Sequence, residues 1–500
     1  MKTEHLNRIR CAPLRERVTS AQDAARWIED GMTVGMSGFT RAGDVKLVPG
    51  ALAEHARLHP LKITLLTGAS LGNDTDKRLT EAGALARRMP FQVDPVLRAA
   101  INRGEVMFID QHLSETVEQL RSRHLAPVDV AIVEAVAITE DGAIVPTTSV
   151  GNSASFAILA DKVIVEINVA QAAALEGLHD IWIPKKRPLR EPIPIMSVDG
   201  RAGTPWIAIP PEKIVAIVLS DQPDSTSSVL PADAETAAIA GHLIRFFEKE
   251  IEAGRLARNL LPLQAGIGTI ANAVLAGFAD SPFEHLTMYS EVLQDSTFDL
   301  FDAGKLDFAS GSSITLSPDK SRQVFRDFER YRDKLVLRPQ EVSNHPEVIR
   351  RLGIIAINTA LEADIYGNIN STHVLGTHMM NGIGGSGDFA RNAYLSIFAT
   401  KATAKGGKVS SIVPMVTHVD HTEHDVDIVV TELGLADLRG LAPRERADVI
   451  IEQCTAEPYQ SMLRAYVDEA KTRGGQTPHV LEKAYAWHTR YRETGTMLPA

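Results

Sequence analysis

Met288-Tyr-Ser-Glu291-Val-Leu places a carboxylate at the end of an apolar β-strand, soon after the glycine turn Gly266-Ile-Gly268. Carboxyl ends of parallel strands are where α/β sheets bind ligands. Partly desolvated there, a carboxylate is a better nucleophile than in water, and nearby backbone N–H groups can stabilise charge developing on an acyl intermediate. The same pattern also suits a strand-end acid held in a salt bridge. Two further glycine runs, Gly382-Ile-Gly-Gly-Ser-Gly-Asp388 and Lys405-Gly-Gly-Lys408, share the C-terminal half with Glu291. Glycine lets backbone approach a ligand closely and turn successive N–H groups toward an anion. Each run taken alone serves equally as a structural turn. Gly382–Gly387 has the G-x-G-x-x-G spacing, but no strand stands clearly before it as a dinucleotide fingerprint requires, and no GxxxxGK[ST] loop is present.

Other constellations carry less. His418-Val-Asp-His421-Thr-Glu-His424-Asp is the best metal-like cluster, but a repeat of three does not put imidazoles on one face, and HExxH is absent. No metal is expected. Gly35-Met-Ser-Gly38 only superficially resembles a GxSxG elbow, and a serine nucleophile gets little weight. Glu134 and Glu166, on apolar strands, read as structural acids.

The elements that must position these residues follow a βαβ pattern. A helical segment at Ala21–Asp30 precedes a strand at Met32–Ser37, the turn Gly38-Phe-Thr-Arg-Ala-Gly43, a helix to about Leu58 and a strand at Lys62–Thr67. Val128–Glu134, Lys162–Asn168 and Lys213–Leu219 are β-branched runs expected as buried strands. An α/β fold with largely parallel sheets follows. The polar stretch at 219–234 suggests a boundary between an N-terminal domain, residues 1–225, and a C-terminal domain, residues 226–500. A weak internal repeat matches the Gly38 turn and Ile63-Thr-Leu-Leu-Thr-Gly68 with the Gly266 turn and Leu286-Thr-Met-Tyr-Ser-Glu291, pairing Gly68 with Glu291.

Composition narrows the function. With 52 basic against 63 acidic residues, the net charge of −11 has the wrong sign for a protein that neutralises polymer phosphates, so nucleic acid is not an expected partner. A small anion is still allowed, through local cations and helix N-termini. No window approaches the roughly 18 apolar residues of a membrane span, so no membrane association is expected. Cys11 and Cys454 are too few for a disulfide framework. The charged N-terminus shows no secretory signal, making a cytoplasmic location the default expectation.

Gly38-Phe-Thr with Ala42-Gly43, Leu66-Thr-Gly-Ala-Ser70, Ser149-Val-Gly-Asn152, Leu263-Gln-Ala-Gly-Ile-Gly268, Tyr289-Ser-Glu-Val, Met379-Met-Asn-Gly-Ile-Gly-Gly-Ser-Gly-Asp-Phe389, Thr417-His-Val-Asp-His421, and Thr431-Glu-Leu-Gly with Ala436-Asp-Leu-Arg-Gly440 occur in order along the chain. Together they resemble the acetyl-CoA hydrolase/transferase family, the class I CoA-transferases, from about Arg10 to Pro499. The resemblance implies two open α/β domains of the NagB/RpiA/CoA-transferase type and a homodimer. Glu291 would be the nucleophile, forming an acyl-glutamyl anhydride and then a glutamyl-CoA thioester in a ping-pong exchange. Acyl-CoA and small carboxylates would be the substrates, with coenzyme A a substrate and no cofactor required. The loop Gly266, Ile267, Gly268, Thr269 and Ile270, with Asn381, Gly385 and Lys405, matches the family's CoA and oxyanion positions. Asn344 and Glu432 match polar positions near the nucleophile.

Val93 and Ser225 stand where succinate-using relatives of this family place Thr and Arg. A buried second carboxylate without a cation is costly, so a monocarboxylate pair such as acetate and propionate fits better, unless Arg98 or Arg201 substitutes. Two alternatives share these residues: an acyl-CoA hydrolase, in which water intercepts the intermediate, and a non-catalytic acyl-CoA-binding module.

Overall fold

The computed structural model describes residues 3–227 and 232–499. The chain forms two compact units. The first gathers Met1–Ser228, Met288–Phe298 and Asp307–Leu352; the second gathers Val229–Thr287, Asp299–Leu306 and Gly353–Ala500. Glu291 and Asn344 therefore lie in the first unit, and the three glycine runs in the second.

The first unit is built on a seven-stranded parallel sheet, in the order Met107–Phe108, Leu85–Met89, Ile63–Leu66, Thr33–Met36, Val130–Ala135, Lys162–Asn168 and Ile214–Ser220. Val130–Ala135, apolar except for Glu134, is buried along its whole length, as a parallel sheet covered on both faces requires. The strand expected at Lys162–Asn168 has those bounds, and the other expected strands differ from theirs by one or two residues. The helix Val48–Leu58 follows the Gly38–Gly43 turn and packs Val48, Leu52 and Ala56 into the core with Val34, Ile63 and Ile132. Both strand acids are structural. Glu166 accepts the backbone N–H groups of Lys46, Leu47 and Val48 at 2.7–3.2 Å, closing the start of that helix. Glu134 lies 3.2 Å from the buried Lys46 ammonium, and burial pushes its carboxyl above the ordinary range.

In the second unit, Leu263–Ala265, Ile355–Thr359, Leu395–Ala399 and Ile428–Val430 form a parallel series, extended by the antiparallel Leu435–Asp437. Phe398 and Val429 pack against Ile450, Ile451, Leu463 and Val467 of the helices Pro443–Cys454 and Tyr459–Thr472. The pairing series repeats that of the first unit, where Thr33–Met36, Val130–Ala135, Lys162–Asn168 and Ile214–Ser220 follow in the same order. In both units the first strand of the series runs into a glycine turn and a helix, as the internal repeat suggests. Among the described residues, no helix is long and apolar enough to cross a membrane.

Candidate active site

Glu291 follows the strand Leu286–Tyr289, whose alternate residues Leu286 and Met288 are buried. Its backbone is fixed on both sides. Ser290 N–H donates to the Ser310 carbonyl at 2.9 Å, and the Glu291 carbonyl accepts from Ser312 and Ser313 N–H at 2.6 and 3.1 Å. The residue is only 6% exposed. Asn344 Nδ2 donates to its Oε1 at 3.0 Å, an amide contact that orients a carboxylate while leaving it charged. Asn344 is itself fully buried, and its Oδ1 has no hydrogen-bond partner.

Several of the ordered motifs converge on this point. Phe39, Ala69, Leu113 and Val292 form one apolar cluster, with Phe91 packed against it. Thr315 Oγ1 donates to the Thr40 carbonyl at 2.7 Å. Ser149 pairs with Ser313, Val150 N–H donates to the Ser312 carbonyl at 2.9 Å, and Gly151 N–H donates to Ser312 Oγ at 3.1 Å. The Gly38 turn, the Ser149–Asn152 segment and the Glu291 strand thus share one packed neighbourhood. Phe39, Ser312 and Tyr289 were not singled out as functional in the sequence. Phe39 and Tyr289 sit inside quoted motifs, whereas nothing local marks Ser312.

The remaining candidates belong to the second unit. Gly266 N–H donates to the Ile357 carbonyl at 2.9 Å, after which the chain turns through Ile267 and Gly268 into the helix Thr269–Gly277. Gly268 has φ of +128°, a conformation L side chains rarely adopt, which explains its identity. Ile267 is 38% exposed. Asn381 precedes the run in which Gly385 starts the short helix Ser386–Ala390, and its Oδ1 is buried without a hydrogen-bond partner. Lys405 is exposed at the tip of the hairpin formed by Thr403–Ala404 and Val409–Ser410. Glu432 is half-buried and accepts the Ala402 N–H at 2.9 Å. The structure therefore brings Asn344 to Glu291 within one unit and gives Glu432 a backbone-holding contact in the other. The histidine segment is dispersed: His418 faces Asp420 at 3.3 Å and stacks on His373, while His421 Nε2 is 3.0 Å from Ser386 Oγ.

The family models of the acetyl-CoA hydrolase/transferase N-terminal and C-terminal domains match residues 3–219 and 321–467. The chain belongs to the acetyl-CoA hydrolase/transferase family. It is an enzyme of that family, similar at 52% identity over 493 residues to the succinyl-CoA:acetate CoA-transferase of Clostridium kluyveri, covering 98% of this chain and 92% of the relative. It is also 46% identical over 511 residues to the acetyl-CoA hydrolase of Schizosaccharomyces pombe, covering 98% of each. Among solved structures, RipA from Yersinia pestis matches with a TM-score of 0.73 at 23% identity, over 92% of this chain and 98% of that one. A 4-hydroxybutyrate CoA-transferase from Porphyromonas gingivalis matches with a TM-score of 0.64 at 22% identity, over 93% and 99%. At such identities these two likenesses establish the fold alone.

Within this hydrolase/transferase chain, Val93 and Ser225 line one cavity of about 330 Å³ in the first unit. The cations that share it are Arg41 and Lys77, not the two expected from sequence. Arg98 folds back to donate to the Val93 carbonyl at 3.1 Å. Arg201 is committed to the carbonyls of Gly177, Leu178 and His179 at 2.9–3.3 Å. Arg41 belongs to the Gly38–Gly43 turn, so the motif that carries Phe39 to Val292 also carries a guanidinium to this cavity.

Proposed function

We propose that the protein transfers CoA between short-chain carboxylic acids through a covalent intermediate on Glu291. The observation that carries this reading is the buried Glu291 side chain at a strand end, with an amide hydrogen bond from Asn344 to its carboxylate. A Glu291 oxygen attacks the acyl-CoA carbonyl, and collapse of the tetrahedral adduct expels CoA thiolate and leaves an acyl-glutamyl anhydride. The thiolate then attacks the glutamyl carbonyl, the first carboxylate departs, and a glutamyl-CoA thioester remains. An incoming carboxylate attacks that thioester carbonyl and displaces the thiolate, which attacks the acyl carbonyl of the new anhydride. A new acyl-CoA leaves and Glu291 is regenerated. Backbone N–H groups of the Gly266–Ile270 turn and Gly385 would receive oxyanion charge, and Asn381 and Lys405 would contact CoA. Every step is a proton-free exchange of an oxygen for a sulfur nucleophile, so the reading assigns no cofactor, and coenzyme A enters as substrate. A homodimer and a cytoplasmic location complete the reading, the former by likeness to the family.

Acetate is the proposed acceptor, with acetyl-CoA, propionyl-CoA or succinyl-CoA as donor. The Val93 and Ser225 pair favours a monocarboxylate. Arg41 and Lys77 line the same cavity together with Asp74, Asp76 and Asp94, and the name of the Clostridium kluyveri relative keeps succinyl-CoA among the donors to be tried. Hydrolysis is a second reading, favoured by the acetyl-CoA hydrolase names of the fungal relatives. In it, water replaces the incoming acid.

Mass spectrometry after mixing with acyl-CoA should show a CoA-sized adduct on the Glu291 peptide, absent in Glu291→Ala. Tight binding without an adduct would instead support a non-catalytic acyl-CoA-binding module. Product analysis with and without acetate separates transfer from hydrolysis, and a panel of short acids with one labelled acyl-CoA fixes the acyl pair.

A further inference from the structure

Asn344 ends the turn Gln340–Ser343, and this turn is anchored more firmly than a lone hydrogen-bonding residue would need. Gln340 N–H donates to the Gly151 carbonyl at 2.9 Å, and Arg338 N–H donates to the Gly311 carbonyl at 2.8 Å. Glu341, buried, pairs with Arg121 and accepts from Ser155 Oγ. Asn344 N–H closes the turn onto the Gln340 carbonyl at 2.7 Å. The last anchor comes from the nucleophile's own strand. Tyr289 is fully buried, and its hydroxyl donates to the Val342 carbonyl at 2.8 Å. Burial pushes the phenol above its ordinary pKa, so it keeps the proton it donates.

The spacing of these contacts is regular. Tyr289 and Glu291 are two residues apart on one segment, Val342 and Asn344 two apart on the other, and each residue contacts its counterpart. One of these ties is chemical machinery, and the other carries no charge and reaches no open surface. We propose that Tyr289 is a positioning residue: its hydroxyl, through Val342, fixes the separation and angle at which Asn344 meets the Glu291 carboxylate. This rests on Glu291 being the nucleophile. Val342 O also accepts from His345 N–H at 3.1 Å, so loss of the phenol oxygen leaves that carbonyl with a partner and the turn intact.

The experiment is a double-mutant cycle with Tyr289→Phe and Asn344→Ala, assayed with acetyl-CoA and propionate. Rates are referred to subunits that accumulate CoA adduct, so misfolded protein does not enter. Y289F should lower kcat by roughly 10–100-fold, as small misplacements of a reacting group do, with both KM values within about two-fold because no substrate contact is removed. In the N344A background, Y289F should cost less than about two-fold more. Unchanged kcat in Y289F, or an equal loss in both backgrounds, overturns the proposal. Glu291→Ala is run beside it: adduct formation and turnover in that variant would sink the nucleophile reading, whereas an inactive E291A with a normal Y289F would sink only the positioning role.

Discussion

Gly68 and Glu291 occupy equivalent places, each two residues past the end of a strand that follows a glycine turn and its helix, yet they are used in opposite ways. A side chain at Gly68 would have its Cβ 2.7 Å from the Gly38 carbonyl and 2.9 Å from Gln340 Oε1. That strand end can bear none. The turns before them differ in the same sense. The Gly38 turn is filled, Phe39 lying in the cluster with Val292 and Thr40 accepting from Thr315. At Gly268 an added Cβ would meet nothing within 4 Å, and Ile267 beside it is partly exposed. The two strand–turn–helix segments differ in packing: one is filled and closed, and the other leaves its turn open to approach.

The largest effect should come from removing the Glu291 carboxylate. With Glu291 as the proposed nucleophile, Glu291→Gln keeps the shape and the Asn344 contact but not the carboxylate, and should reduce exchange by about four orders of magnitude or more while CoA binding persists. Single-turnover release of CoA thiolate checks it, and a burst in the variant would contradict that role. Asn344→Ala removes the amide hydrogen bond to the proposed nucleophile and should cost about 10²–10³ in kcat, the range found for single preorganised donors.

The filled segment should fail differently. Gly68→Ala forces a methyl group against a backbone carbonyl, so we expect a stability loss of about 1–3 kcal/mol, read from denaturant midpoints. Because Gln340 begins the turn that ends at Asn344, kcat should fall with it. A stable G68A enzyme with full activity would show that the Gly38 neighbourhood is looser than its packing indicates.

Acid should act on the buried groups with opposite signs. In the first unit, burial holds His179 down at about 4, with its Nε2 2.8 Å from the Thr147 carbonyl. Burial and the nearby Arg190 hold His345 at about 4 as well, where its Nε2 receives the Arg190 guanidinium. Both must stay neutral in the fold. Their stability is present above the unfolded value near 6.5 and is lost as pH falls toward 4, about 2 kcal/mol each between pH 7 and 5. Buried carboxyls have the opposite sign: burial raises Glu134 in the first unit and, to about 6, Asp364 in the second, and each contributes stability that is lost as pH rises through its folded value. The histidine share is therefore read by difference: His179→Gln should lessen the stability lost between pH 7 and 5, measured from denaturant midpoints. A pH profile unchanged in that variant would refute this.

Much of this was legible in sequence because it is locally encoded. Lys162–Asn168 is a β-branched run, apolar between its polar ends except for Glu166, and reads as a strand buried on both faces. Glu291 was legible because an acid closing such a run is conspicuous. The supports were not. Arg338, fully buried on Asp180 and Ser310, looks like any surface arginine in the chain, and Ser312 like any loop serine. Their roles come from partners more than 20 residues away, which no window reveals. Proximity in sequence also misled: Arg98, five residues from Val93, spends its guanidinium on that residue's own carbonyl, while Arg41, fifty-two residues away, lines the cavity.

The smallest expected effect tests the approachable copy. If the Gly266–Ile270 turn serves through its N–H groups, the side chain at 267 is incidental, since each peptide offers the same donor whatever residue follows its Cα. Ile267 is 38% exposed, so Ile267→Ala gives up little buried area and should change stability by under about 1 kcal/mol. Both kcat and the KM for acyl-CoA should stay within about three-fold of the parent. The contrast with Gly68→Ala is then complete: adding one methyl group to the packed copy disrupts the enzyme, and deleting three carbons from the open one does not. A ten-fold rise in KM at unchanged stability would show instead that the Ile267 side chain itself grips the substrate, and that this copy, too, is specialised by its side chains rather than by its backbone.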